Sequence, residues 1–176
     1  MVMNDKLKVD LNGFVLKNPI MTASGTYGYA EEYNDFIDVS NLGAVVTKAI
    51  SFYPRAGNKH MRLAETKAGM INSIGLENVG IEKFLSDKLP ILKENNIEFV
   101  MNVAGSTIDD YVQVAKICDE NNIKAIELNV SCPNVKAGCL EFGTDENSLY
   151  DSSFNSFNLY TTLLIIKPFI LYYFFK

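Results

Sequence analysis

Three segments of this chain share one design: Ala44-Val45-Val46-Thr47-Lys48, Glu98-Phe99-Val100-Met101-Asn102-Val103 and Ala125-Ile126-Glu127-Leu128-Asn129-Val130 each carry an apolar, β-prone core with a polar residue near the C-terminal end. Helical patterns lie between them. The clearest runs from Ile108 to Asn121, where Ile108, Tyr111, Val112, Ala115 and Cys118 fall at helical spacing behind Thr107 as N-cap. Strand and helix in alternation predict an α/β fold built on a parallel sheet.

Polar residues at the C-terminal ends of successive parallel strands suit two architectures, a doubly wound sheet and a (β/α)8 barrel, because both bind ligands at that edge. No G-x-G-x-x-G opens the first helix, which favours the TIM barrel. The chain opens with Leu7–Leu11, the turn signal Asn12-Gly13, and Phe14–Leu16, a β-hairpin pattern placed to cover the bottom of a barrel. Asn18-Pro19-Ile20-Met21 then reads as a short buried strand. It ends in Thr22-Ala23-Ser24-Gly25-Thr26-Tyr27-Gly28, whose small residues let the backbone approach a ligand closely.

A barrel takes about 250 residues, whereas this sequence has 176 and reaches only its fourth strand by Asn147. The expectation is a barrel truncated to about its first four βα units, residues 1–150. Residues 151–176 differ in composition: they lack Gly, Ala, Val and Glu, and eight of the 26 are Phe or Tyr. They read as a hydrophobic tail such as a frameshift or truncation product would carry. Leu159 to Phe175 is about as long as the shortest membrane spans, but Lys167-Pro168 interrupts it, so no membrane anchor is expected.

The net charge of −5, with scattered basic residues, provides no footprint for nucleic acid. Cys118, Cys132 and Cys139 form no C-x-x-C pair, and His60 is the sole histidine, so no metal site is expected. Free thiols and the absence of a signal-peptide pattern at the start read as cytoplasmic.

The segment Glu127-Leu128-Asn129-Val130-Ser131-Cys132-Pro133-Asn134 resembles the active-site loop of the dihydroorotate dehydrogenases, flavin enzymes of the class 1 type. Gly69-Met70-Ile71-Asn72-Ser73-Ile74-Gly75-Leu76-Glu77-Asn78 resembles their substrate loop, Asn18-Pro19 through Gly28 their first flavin-contacting loop, and Thr47-Lys48 the strand end bearing their flavin lysine. The resemblance runs from about Leu7 to Tyr150, with Phe142-Gly143-Thr144-Asp145 in step, and then stops; the later strands, a second lysine and two glycine-rich phosphate loops fall outside it. Cys139 stands where the family tends to have Gly.

The resemblance implies oxidation of dihydroorotate to orotate with FMN as acceptor, in de novo pyrimidine (UMP) biosynthesis. It implies Cys132 as the base, a thiol being suited to proton transfer when its surroundings lower its pKa. Lys48, Asn72, Met70, Gly75, Leu76, Asn129 and Asn134 are the implied substrate contacts. Ala23, Ser24, Gly25, Lys48, Asn102 and Asn129 are the implied flavin contacts. Asparagine in a loop otherwise serves turn geometry, and Cys118 reads as a packing residue. Arg55, His60 and Arg62 lie in a polar stretch, Ser51 to Lys67, and are expected to be solvated.

The motif style is closer to the NAD-linked type than to the fumarate-linked one. That implies a homodimer joined to an electron-transfer subunit carrying FAD and a 2Fe-2S cluster, with neither group on this chain. The alternatives are a non-catalytic truncated fragment and a dihydropyrimidine dehydrogenase-like enzyme; the latter usually has His where this chain has Asn134. With only part of a barrel present, the chain alone is expected to bind flavin weakly or not at all.

Overall fold

The computed structural model describes residues 5–130, Asn147, Tyr150 and 163–167. The N-terminal hairpin forms as read, with β1 (Val9–Leu11) antiparallel to β2 (Phe14–Leu16). Asn12 and Gly13 both take positive φ in its turn.

A parallel sheet follows. Its strands are β3 (Val45–Val46), then β6 (Phe99–Val103) and β7 (Ala125–Asn129), and last β8 (Leu163–Lys167), side by side in the order β3-β6-β7-β8. Between β3 and β6 the chain inserts an exposed antiparallel hairpin, β4 (Leu63–Thr66) with β5 (Gly69–Asn72). A helical stretch follows it: α1 (Gly80–Lys83), a π-helical turn (Phe84–Lys88) and α2 (Leu89–Glu94). The fold is mixed α/β, and among the described residues the sheet does not close into a barrel.

Helix α3 (Ile108–Glu120) starts where the Thr107 signal places it. Thr107 Oγ1 accepts from the Asp110 backbone N–H at 3.1 Å and the Asp110 carboxylate accepts from the Thr107 N–H at 3.0 Å, a reciprocal capping box. Its buried face is Tyr111, Val114, Ala115 and Cys118; Val112, assigned to that face from spacing, is only half-buried. Cys118 is a core residue, and burial pushes its thiol well up from the usual range.

Period-two alternation sorts the strands into two layers. Val45, Met101, Val103, Ile126 and Leu128 face the helices in the larger core. Val46, Val100 and Ala125 face the other way, where Phe14 and Leu16 of the hairpin cover them and Ile165 of β8 packs beside them. The hairpin thus seals the N-terminal half of the inner face, as the sequence led us to expect. Each of its two large side chains contributes roughly 1.5–3 kcal/mol by burial. Higher on that inner face the same alternation puts Asn102, Glu127 and Asn129, so the polar residues gather toward the C-terminal ends of the strands.

One strand expectation needs correction. The run Asn18–Met21 is not a buried strand: Met21 makes a single parallel bridge to Ala44, and Ile20 is 59% exposed. Pro19 has no N–H to give a ladder and the Asn18 side chain takes the Ile20 N–H at 3.0 Å, so pairing is confined to the Ile20 carbonyl, which accepts from Gly43 and Ala44, and the Thr22 N–H, which donates to the Ala44 carbonyl. Gly43 permits the close approach, since a Cβ there would lie 2.1 Å from the Asn18 carbonyl oxygen.

Within residues 151–176, the described residues are 163–167. Leu163–Lys167 pairs in parallel with β7 along its whole length, from Ala125↔Leu163 to Asn129↔Lys167. It is a fifth parallel segment after 20–22, β3, β6 and β7, and it puts a lysine in register with Asn129. Among the described residues, no helix is long and apolar enough to cross a membrane.

Candidate functional site

At the C-terminal edge of the sheet lies an open cleft of about 270 Å³, lined by Ser24, Gly25, Lys48, Ala49, Asn72, Ile74, Leu76, Glu77, Asn102 and Asn129. Three stretches of chain build it: the loop after residue 22, the strand ends, and the loop that follows β5.

The strand ends are held firmly. The Lys48 backbone N–H donates to the Gly28 carbonyl at 2.7 Å, which docks the small-residue loop beside the lysine. Asn102 is fully buried; its N–H donates to Thr47 Oγ1 at 3.2 Å and its carbonyl accepts from Ile50 at 2.8 Å. The Asn129 carbonyl accepts from the Tyr111 hydroxyl at 2.9 Å, a tie from α3. The side chains form a chain of their own. Asn102 Nδ2 donates to Glu127 Oε1 at 2.5 Å, and Asn129 Nδ2 donates to Asn102 Oδ1 at 3.3 Å.

The loop after β5 is strapped down by residues that are not in the cleft. Asn78 is buried and uses both ends of its amide: Nδ2 donates to Ser51 Oγ and to the Leu76 carbonyl, each at 2.9 Å, while Oδ1 accepts from the N–H groups of Ser51 and Gly80 at 3.1 and 2.9 Å. Arg62 donates to the carbonyls of Asn58 and Ala56 at 2.5 and 2.8 Å and pairs with Glu77. Asn58 in turn donates to the Ser73 carbonyl at 3.1 Å and receives a Cβ-free approach from Gly75, where φ is +77°. Arg55 donates to Ser106 Oγ at 2.6 Å. The expectation that Arg55 and Arg62 are solvated loop charges is therefore corrected: a guanidinium with several donors finds oxygen acceptors where loops meet, backbone carbonyls for Arg62 and the Ser106 hydroxyl for Arg55.

Of the residues named from the sequence, Ser24, Gly25, Lys48, Asn72, Leu76, Asn102 and Asn129 line one cleft. Ala23 precedes that lining and is exposed; Met70 is 60% exposed on the hairpin; Gly75 sits in the strapped loop against Asn58. Cys132 and Asn134 lie outside the described residues, as does Cys139. Ala49, Ile74 and Glu77 were not foreseen. The first continues the Lys48 strand end, and the other two flank residues already singled out.

The lining combines one cation (Lys48), one carboxylate (Glu77, whose charge is paired with Arg62), three carboxamides and a wall with little side chain at Ser24 and Gly25. Such a set suits a planar, uncharged-to-anionic ring with carbonyl and N–H groups on its edge. It thus fits the pyrimidine portion of a flavin or of a small pyrimidine carboxylate.

A model of the dihydroorotate dehydrogenase family matches residues 6–167 and so takes in β8. The chain is similar to catalytic subunits described as dihydroorotate dehydrogenase B (NAD(+)). The one from Geotalea uraniireducens is 45% identical over 146 residues, 82% of this chain and 48% of the relative. That from Porphyromonas gingivalis is 50% identical over 132 residues, 74% and 43% respectively. That from Listeria monocytogenes is 51% identical over 142 residues, 80% and 47%. The chain therefore spans about half the length of the curated relatives it matches. In fold it resembles a crystal structure of DHODH from Eimeria tenella in complex with ferulenol, with a TM-score of 0.65 at 20% identity, covering 88% of this chain and 44% of that one.

Proposed function

Since the chain belongs to the dihydroorotate dehydrogenase family, we propose that its cleft is the ring-binding part of a site that oxidises dihydroorotate to orotate, with FMN as electron acceptor, in de novo pyrimidine biosynthesis. The observation that carries this reading is the convergence of Lys48, Asn72, Asn102 and Asn129 on one cleft at the C-terminal ends of parallel strands. Ligands bind at that edge in α/β folds.

The reaction removes a proton from C5 and a hydride from C6 of the substrate. Bound FMN supplies the electron sink that takes the hydride. The chain's own residues do the rest. Cys132, three residues past Asn129, is the base for the C5 proton. Asn72, Asn129 and Asn134 hold the edge of the substrate ring, with Met70, Gly75 and Leu76 shaping its surroundings. Lys48 places a fixed positive charge where negative charge develops. Ala23, Ser24 and Gly25 offer backbone N–H groups at close range, and Asn102 and Asn129 offer amides to the flavin edge.

The relatives' description as NAD(+)-linked catalytic subunits supports a division of labour. On this reading electrons leave for a partner subunit with FAD and a 2Fe-2S cluster, this chain pairs as a homodimer, and the assembly works in the cytoplasm. The family match and β8 both run to Lys167, which supports extending the barrel segment past Tyr150.

The test is the visible spectrum of the purified chain with FMN before and after anaerobic dihydroorotate. Bleaching that depends on Cys132 supports the reading. A second reading, a non-catalytic remnant, draws on the sheet that does not close among the described residues; a chain that never takes up flavin favours it.

A further inference from the structure

We propose that Glu127 is a positioning residue: its carboxylate decides which end of the Asn102 amide faces Asn129, and thereby aims the Asn129 amide in the cleft. The inference rests on the reading of the cleft given above and deepens it.

Glu127 lies on the inner face of β7, in register with Asn102 on β6 and two residues below Asn129. A half-buried carboxylate between the buried Ile126 and Leu128 calls for an explanation, since taking a charge even partly out of water costs free energy unless it is hydrogen-bonded. Among the described residues no ion pair involves Glu127. Its described partner is Asn102 Nδ2, at 2.5 Å.

A carboxamide is nearly symmetric in shape but has a donor end and an acceptor end, and only its partners decide between the two orientations. An ionised carboxylate accepts and never donates. Glu127 therefore selects the Nδ2 end of Asn102 and forces Oδ1 to the opposite side. There Oδ1 accepts from Asn129 Nδ2 at 3.3 Å. The choice made at Glu127 is passed to Asn129, one strand over and one layer up.

The backbones of both asparagines are fixed by other groups, Thr47 Oγ1 for Asn102 and the Tyr111 hydroxyl for Asn129. What remains for Glu127 to set is amide orientation. Asn102 is fully buried and Asn129 is 8% exposed, so water is a poor substitute for the missing acceptor. Asn102 and Asn129 line the cleft and Glu127 does not, which separates the residue that orients from those that touch. A ring edge with alternating donors and acceptors, as on a flavin or a pyrimidine, demands a fixed order of amide ends; a flipped Asn102 reverses that order.

The experiment is side-chain amide hydrogen exchange of Asn102 by nuclear magnetic resonance on the labelled full chain, comparing the native protein, Glu127→Gln and Glu127→Val. Glutamine retains an acceptor oxygen, so Asn102 stays protected in that variant. In Glu127→Val its exchange speeds up by about tenfold, the factor of one net hydrogen bond, while backbone amides of β6 and β7 keep their rates. Unchanged Asn102 exchange in Glu127→Val overturns the proposal.

If the valine variant does not fold, the exchange pair Asn102→Asp with Glu127→Gln decides: the double variant recovers the stability that Asn102→Asp alone loses, because donor and acceptor have traded places. Asn102→Asp as stable as the native chain overturns it. None of these readouts needs bound flavin. A native chain that fails to take up FMN therefore counts against the reading of the cleft, and Glu127 is still judged on exchange.

Discussion

Asn78 Nδ2 donates to Ser51 Oγ at 2.9 Å, and both residues are buried, so the loop carrying Asn72, Ile74 and Leu76 is anchored to the segment that follows Lys48. Two walls of the cleft thus share one hydrogen-bonded joint outside the cleft.

Replacing Asn78 by Ala strands the N–H groups of Ser51 and Gly80, while the Ser51 hydroxyl keeps the Tyr53 carbonyl as its acceptor. Each buried unsatisfied group costs about 1–3 kcal/mol, partly recovered where water enters. We expect a loss of about 2–4 kcal/mol in denaturant unfolding, with faster backbone exchange at 74–80 than in β6. Equal protection in both places would contradict the anchoring role.

Thr107→Ala removes one half of the capping box at α3. The expected cost is about 0.5–2 kcal/mol, read as a lower midpoint in denaturant with an unchanged slope. Because Tyr111 on this helix holds the Asn129 carbonyl, weaker ring binding should accompany it; Thr107→Ser should lose less of both.

Burial raises the Cys118 thiol, and burial likewise raises the Tyr29 phenol despite the N–H it accepts from Val79. For a group raised in the folded state, stability is fully present below its unfolded value. It falls as pH rises, because the unfolded chain releases the proton first. Unfolding midpoints should therefore be flat to about pH 8.5 and decline above it, with a limiting slope of about 1.4 kcal/mol per pH unit for one thiol. Cys118→Ala removes the first part of that decline, although it costs stability at neutral pH through the cavity it leaves.

Lys48→Met retains most of the side-chain volume and removes the charge. A charge-assisted hydrogen bond is worth about 1.5–3 kcal/mol, so FMN affinity should fall by roughly tenfold or more. Fluorescence titration checks this, and Lys48→Arg should recover part of the loss.

Much of this was legible in the residues themselves. Thr107 and the spacing behind it locate α3 because a cap and an apolar stripe are both local signals. Lys48, Asn102 and Asn129 stand out because each ends an apolar strand with a polar group. The hairpin β4–β5 was not legible: both of its strands are exposed on both faces, so no alternation marks it, and Lys67-Ala68 is not a typical hairpin turn. Strand β8 was hidden by a composition change that spans it, although a short apolar run is all that a parallel strand requires.

Arg62 and Glu127 were missed for a different reason. Their partners, Glu77 and Asn102, are 15 and 25 residues away, and such pairings depend on loop path and strand register. Periodicity within one segment carries neither.

The central claim, that this cleft serves dihydroorotate oxidation, is tested most directly by anaerobic bleaching of stoichiometric FMN on adding dihydroorotate, in the native chain beside Cys132→Ala. The account predicts bleaching by the native chain, slow if flavin is held weakly, and none by the variant. Flavin that stays oxidised with the native chain, or bleaches equally with Cys132→Ala, would contradict it.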